Sequence, residues 1–229
     1  MARPVVTRRS ERLAAVAPAS AVTRRWRSDL DPRALPPTEH LTLGQRKVLE
    51  SCLVLFAEQG FAASSIRDIA SEAGMQSASL YNHFASKDAM LTELVTLGVG
   101  THLERLIVAV VNSLAGPVEQ LRSAIRTHVA VHCEYPNLGL IVNHEVRHLT
   151  PEAAAALDSV RRRSGGLVTE VLNRGVDEGV FVVDAPQATI FAMASMGVDA
   201  ARWYPYQDEI SAPQLCDVYA ELALRMVGA

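Results

Sequence analysis

The chain has 229 residues, 49% of them hydrophobic and 21% charged, with a formal net charge of -3. That is enough for one domain with a substantial core or two small ones, and no stretch approaches the roughly 20 uninterrupted apolar residues of a membrane span. Three scattered cysteines (Cys52, Cys133 and Cys216) form no C-x-x-C pair, which argues against a disulfide scaffold or a cysteine-rich zinc module and favours a reducing cytoplasm.

The charge is uneven: +4 over residues 1–40, -2 over residues 41–97 and -5 over residues 98–229. Binding to nucleic acid would therefore rest on local placement of cations rather than bulk charge. Residues 1–40 carry five prolines, Arg8-Arg9 and Arg24-Arg25-Trp26-Arg27, and their apolar run Leu13–Val22 is broken by Pro18. Such a segment buries too little surface to offset the entropy of ordering. An export signal is a poor fit, because the apolar region is short and interrupted. The expectation is a disordered basic arm, either passive or touching DNA phosphates or the minor groove beside a folded reader.

From Leu41 onward the apolar period is three to four, which predicts helices. Val48, Leu49, Cys52, Leu53 and Phe56 share one face of a first helix ending near Gly60. Ser64 or Ser65 caps a second, Ser65 and Asp68 having capping-box spacing, and Ala73-Gly74 ends it. A third short helix runs from about Gln76 to Asn82. Ser86 caps a fourth that turns Met90, Leu91, Leu94 and Leu97 inward and ends near Asn112.

Further helices are expected over Pro117–Cys133, Leu138–Leu149, Pro151 to about Gly175, Gln187–Trp203 and Ala212–Val227, with breaks at Gly116-Pro117, Pro136-Asn137, Gly179 and Pro205. Val180–Val183 is strand-like but too short to imply a sheet. The fold class is all-α.

Residues 60–91 carry the most specific pattern. Two short helices joined by a tight glycine turn, then an aromatic and basic corner, is the layout of a helix-turn-helix whose second helix enters the major groove. Leu80 and Phe84 would lock that helix onto Ile66, Ile69 and Phe56, leaving Gln76, Ser77, Ala78, Ser79 and Tyr81 outward. Gln76 can hydrogen-bond a base and Ala78 can meet a thymine methyl. Tyr81, His83 and Lys87 fall at the groove edge, where phosphate contacts fix register.

Gly60 to Leu91, and above all Leu80-Tyr81-x-His83-Phe84-x-Ser86-Lys87, resembles the DNA-binding domain of the TetR-type bacterial transcriptional repressors. The resemblance implies a homodimer with an N-terminal three-helix reader (residues 41–88) and a C-terminal helical ligand-binding and dimerisation domain (residues 89–229). It implies Ser65 and Arg67 as contacts from the supporting helix. Gln76, Ser77 and Ala78 would face bases, and Ser79, Tyr81, His83 and Lys87 would face phosphates. Gln76 departs from the Ser or Thr that members often carry there. The stretch from Arg202-Trp203-Tyr204 through Tyr219 to Val227 is similar to the subgroup controlling lipid and sterol catabolism, whose ligands are often acyl-CoA thioesters.

His144-Glu145-Val146-Arg147-His148 fits H-E-x-x-H, which on a helix would place two zinc ligands one turn apart with Glu145 as base. A zinc-dependent hydrolase is therefore the alternative reading, although no third-ligand motif follows. His128, His144, Arg147, His148, Arg202 and Trp203 are the candidate ligand-binding residues, and Arg161-Arg162-Arg163 could meet an anionic effector. No nucleophile or phosphate loop stands out, so no catalytic residue, cofactor or metal is assigned. The expected protein is a cytoplasmic repressor released from a palindromic operator by a small apolar or acyl-CoA-type effector. Its partners would be double-stranded operator DNA, a second copy of the chain and that effector. The helices Gln187–Trp203 and Ala212–Val227 would pair with their symmetry mates as a four-helix bundle.

Overall fold

The computed structural model describes residues 25–113 and 115–229. Arg8-Arg9 and the rest of residues 1–24 lie outside the described residues, so the DNA-contacting role considered for them is not addressed. The helices are α1 (Leu43–Gln59), α2 (Ile66–Glu72), α3 (Ser77–Leu80), α4 (Lys87–Asn112), α5 (Pro117–Glu134), α6 (Pro136–His144), α7 (Pro151–Asp177), α8 (Pro186–Trp203) and α9 (Ala212–Met226). Short 3-10 turns occupy Val146–His148 and Tyr204–Tyr206, and no strand occurs among the described residues.

The helix starts follow from local chemistry. Thr42, Ser65 and Ser211 each close a capping box, with Gln45, Asp68 and Gln214 respectively. Ser86 accepts from the Ala89 amide at 3.1 Å and Thr150 from the Ala153 amide at 3.3 Å. Each such cap is worth about 1 kcal/mol to the helix it opens. Gly60 and Gly74 stop α1 and the α2 segment at φ of 84° and 61°, where a side chain would be strained.

Two apolar cores share α4. In one, Leu49, Leu53 and Phe56 of α1 meet Ile69 and Leu80, then Leu91 and Leu94 of α4, and continue into Leu138 and Ile141 of α6. In the other, Leu106 and Val110 of α4 join Leu121 and Val129 of α5, Met193 of α8 and Leu215 and Leu224 of α9. Each fully buried Leu or Phe contributes about 1.5–3 kcal/mol. By length and composition α4 alone, among the described helices, could cross a membrane. Its buried residues, Met90 through Val110, instead weld the two cores together. The expected boundary at residues 88 and 89 falls in the first turn of this one continuous helix.

Two expectations are corrected. The helix expected over Leu138–Leu149 stops at His144, and a 3-10 turn follows. Past Glu145, at φ -95° and ψ 0°, the bonding tightens to i-to-i−3, with the His148 amide donating to the Glu145 carbonyl and the Leu149 amide to the Val146 carbonyl.

The described part of the arm, residues 25–40, is not free either. The Arg27 amide donates to the Pro205 carbonyl at 2.8 Å, and its Nη1 donates to the Gln207 carbonyl at 2.8 Å. Trp26 packs edge-on to Tyr206. Asn137 Nδ2 donates to the Pro32 carbonyl at 2.9 Å, Leu35 is buried, and Arg46 Nη2 donates to the Leu35 carbonyl at 2.9 Å. Arg33 forms an ion pair with Glu72 of α2. The segment is a strap running from the α8–α9 junction to the reader. Its few apolar residues suffice because they dock on a surface already built, and its prolines lower the entropy lost on docking.

Candidate nucleic-acid interface and ligand cavity

The α2–α3 unit presents the outward face that the spacing implies. Leu80 is fully buried, whereas Gln76, Ser77 and Ala78 are exposed and Ser79 is half-buried. Tyr81 is 55% exposed, high for a tyrosine with no outside partner in a single chain. Gln76 occupies the N-cap position of α3 and makes no capping hydrogen bond, so its amide is not held by the cap. Arg67 points outward from α2. Ser65 is exposed, but its hydroxyl is engaged with Asp68 at 2.6 Å. That hydrogen bond, with the Ser65 amide, holds the Asp68 carboxyl below its ordinary pKa.

Lys87 and His83 also have partners inside the subunit. The Lys87 ammonium turns inward and donates to the carbonyl oxygens of Phe61 and Ser64 at 2.7 and 2.8 Å. It fixes the α1–α2 connection, and its place in the first turn of α4 reflects that internal use. His83 is half-buried against the start of α1, where a Cβ on Gly44 would lie 2.3 Å from its ring. Both residues brace the reader and, like Ser79, are half-buried, whereas Arg67, Gln76, Ser77, Ala78 and Tyr81 are exposed.

Below the reader, α4, α5, α6, α7 and α8 line a cavity of about 340 Å³. This is at the lower end of the size range of small-molecule sites. Its wall is mostly apolar, with Val99, Leu106, Ile125, Val168 and Met193. Arg161 reaches its edge while bonded to the Val142 carbonyl. Of the six candidate ligand residues only His128 lines it.

The other five lie elsewhere. His144 and Arg147 are exposed, and His148 packs on Phe61 of the reader with ring centroids 5.2 Å apart. Because α6 ends at His144, the two histidines of H-E-x-x-H do not share a helical face, and the geometry that motivated a zinc site is lost. Glu145 between them is buried, with one oxygen lacking a hydrogen-bond partner and His148 Nε2 at 3.5 Å. Arg202 is exposed and paired with Asp199, and Trp203 packs on the α5–α9 core. Both sit past the stretch of α8 that faces the cavity.

His102, which carries no signal in the sequence, comes from α4 and meets His128 and His132 of α5. His102 Nε2 lies 2.9 Å from His128 Nδ1, and His128 Nε2 lies 2.9 Å from the Ala194 carbonyl of α8. His132 Nδ1 lies 2.8 Å from the His128 carbonyl. Burial holds all three imidazoles neutral, pulling the pKa of His102 down to about 4 and that of His128 well below its ordinary value. The one-turn spacing of His128 and His132 was visible. That α4 would bring a third ring to them was not, because the register between packed helices is not written in either helix alone.

α8 and α9 leave an apolar stripe outward. Phe191 is 62% exposed, and Val218, Leu222 and Met226 follow one face of α9 with 46%, 37% and 41% exposed. Apolar side chains exposed together in this way are of the kind that interfaces cover.

Comparison with known proteins bears on both halves. Residues 48–94 match the family described as bacterial regulatory proteins, tetR family. Residues 114–227 match the tetracyclin repressor-like C-terminal domain. The HTH-type transcriptional repressor KstR2 of Mycobacterium tuberculosis is 28% identical over 180 residues, covering 78% of this chain and 90% of the relative. The solved structure described as the ketosteroid transcriptional regulator KstR2 of the same organism superposes with a TM-score of 0.75 at 26% identity, over 82% of this chain and 96% of that one. A tetR-family regulatory protein from Rhodococcus RHA1 gives a TM-score of 0.76 at 25% identity, over 81% of this chain and 97% of that one.

Proposed function

Because the chain belongs to the tetR family of bacterial regulatory proteins, we propose that it is a homodimeric transcriptional repressor that an apolar effector releases from operator DNA. Two α3 helices would enter successive major grooves roughly 34–36 Å apart on a palindromic site. Gln76, Ser77 and Ala78 would meet base edges, with Arg67, Ser79 and Tyr81 on the backbone. The observation that carries the reading is the outward face of α3, unoccupied by its own subunit while Leu80 anchors its back.

The effector would enter between α4, α5, α7 and α8. The apolar wall supports a lipid-derived compound, as does similarity to a relative named as a ketosteroid regulator. Acyl-CoA thioesters remain within this class, with the anionic part at Arg161 and the neighbouring exposed Arg162 and Arg163. Effector binding would favour a spacing of the two readers that no longer fits the operator. By linkage, operator DNA then weakens effector binding by the same factor. Acting on DNA, the protein would work in the cytoplasm. A regulator fits the fold better than a zinc hydrolase, because the helix that would hold His144 and His148 together ends between them.

The experiment is titration of the purified chain against duplexes tiling the region upstream of its own gene. One duplex should bind two protomers and be released by a cavity ligand. Uniform weak binding to all duplexes would reject the reading.

A further inference from the structure

Three imidazoles inside apolar helices call for an explanation, since a buried polar group without partners is costly. Their bonds assign their protons. The Ala194 carbonyl can only accept, so His128 Nε2 carries hydrogen and its Nδ1 is a bare lone pair. That lone pair faces His102 Nε2, which must therefore be the donor. A neutral His102 then has an unprotonated Nδ1, and no described residue hydrogen-bonds to it. His102 lines the cavity.

The arrangement is held from behind. A Cβ on Gly197 would lie 2.2 Å from His128 Cδ2, so α8 can bring the Ala194 carbonyl to His128 only because residue 197 has no side chain. His132 donates to the His128 carbonyl, tying the second ring back along α5. The relay from Ala194 through His128 to His102 thus ends in a hydrogen-bond acceptor on a mostly apolar wall, whose other polar side chains besides the two histidines, Asn143, Ser164 and Arg161, already donate to the Gly139, Val160 and Val142 carbonyls.

We propose that His102 Nδ1 selects the effector, favouring apolar molecules that bring an uncharged hydrogen-bond donor, a hydroxyl above all, over isosteres that carry only acceptors or none. The proposal rests on the reading of the cavity as the effector site. An ether or ketone oxygen would set lone pair against lone pair. A bare hydrocarbon would displace water and leave Nδ1 unpaired, and sites built to pair a polar group discriminate most strongly by that penalty. A carboxylate at this end would need a protonated His102, which burial opposes, so an anionic group belongs at the cavity edge beside Arg161. His128 is a positioning residue: it fixes which nitrogen of His102 is bare.

The test is calorimetric titration of the full-length protein with 2-naphthol, 2-methoxynaphthalene and naphthalene, which share one skeleton and differ in the donor. 2-Naphthol should bind about tenfold or more tightly than the other two. His102→Leu should bring the three within about twofold of one another. Should that variant fail to fold, the wild-type preference decides alone, together with nitrogen NMR of histidine-labelled wild-type protein. His102 should read as Nε2-protonated, with an Nδ1 signal that shifts on adding 2-naphthol. Equal affinities for 2-naphthol and 2-methoxynaphthalene, or an Nδ1-protonated His102, would overturn the assignment and leave the cavity a ligand site. No binding of any of the three would overturn the assignment and the effector reading together.

Discussion

The ammonium of Lys87 lies 4.1 Å from the centroid of the Phe61 ring and donates to the carbonyl oxygen of the same residue at 2.7 Å. On another side Phe61 packs against His148, so one aromatic ring sits between the first turn of α4 and the segment after α6. A residue that sequence alone assigns to DNA phosphates is thereby a strut between the reader and the helices below it. Lys87→Ala should cost about 2–3 kcal/mol of stability, since hydrogen bonds from charged donors are lost and carbonyls are left unpaired. Its operator binding should keep the wild-type salt slope, whereas Arg67→Ala should lower that slope by about one. A reduced slope for Lys87→Ala would return it to the phosphate contacts.

Tyr81 is the opposite case, exposed on the outward face. Tyr81→Ala should leave the melting temperature near wild type, because exposed positions change stability by no more than about 0.5 kcal/mol. It should weaken operator binding by about 3–10-fold across sequences. Gln76→Ala should instead relax preference at one base pair per half-site, read by competition with single-base operator variants.

The strap gives a third expectation. Arg27 joins the Pro205, Gln207 and Ile210 carbonyls and stacks over Tyr204, with only 10% of its side chain exposed. Arg27→Ala should lower the melting temperature, and deletion of residues 1–40 should lower it further, because Leu35 leaves the reader core. A truncated protein that melts as wild type would show that the strap contributes nothing.

The buried histidines set the acid limit. In the unfolded chain each titrates near 6.5, while in the fold burial keeps His102 neutral to about 4 and holds His128 well below its ordinary value. The unfolded state therefore binds more protons as pH falls below 6.5, and stability drops through that window. For His102 the loss levels off near pH 4. Each ring costs roughly 1.4 kcal/mol per pH unit over which it alone stays unprotonated. Denaturant melts of wild type and His128→Leu between pH 7 and pH 4 check this, and the variant should lose less stability across the range.

The exposed stripe on α8 and α9 should be covered by a second copy. Phe191→Asp together with Leu222→Asp should give a monomer in sedimentation and weaken binding to the full operator by about a hundredfold or more, because the two half-sites are no longer linked. A dimer that persists would place the interface elsewhere.

Much of this was legible in the chain. The caps at Ser65 and Ser86 and the prolines at Pro117 and Pro151 marked where helices begin, and the apolar period marked which faces turn inward. The reader could be read almost entirely, because short helices joined by a glycine turn are specified locally. What the chain did not show depends on distant partners. Lys87 looked like a phosphate contact because the Phe61 and Ser64 carbonyls that claim it are more than twenty residues away. Residues 25–40 looked free because their binding surface is built by α6, α8 and α9. His102 was silent until α4 met α5.

Every functional role above depends on α3 being offered to DNA in duplicate. Fluorescence anisotropy with the tightest duplex from the upstream region tests it most directly, comparing wild type with the double variant Gln76→Ala/Tyr81→Ala at matched salt. Wild type should bind as two protomers per duplex, and the variant at least about tenfold more weakly with its melting temperature unchanged. Equal affinity in a folded double variant would contradict it.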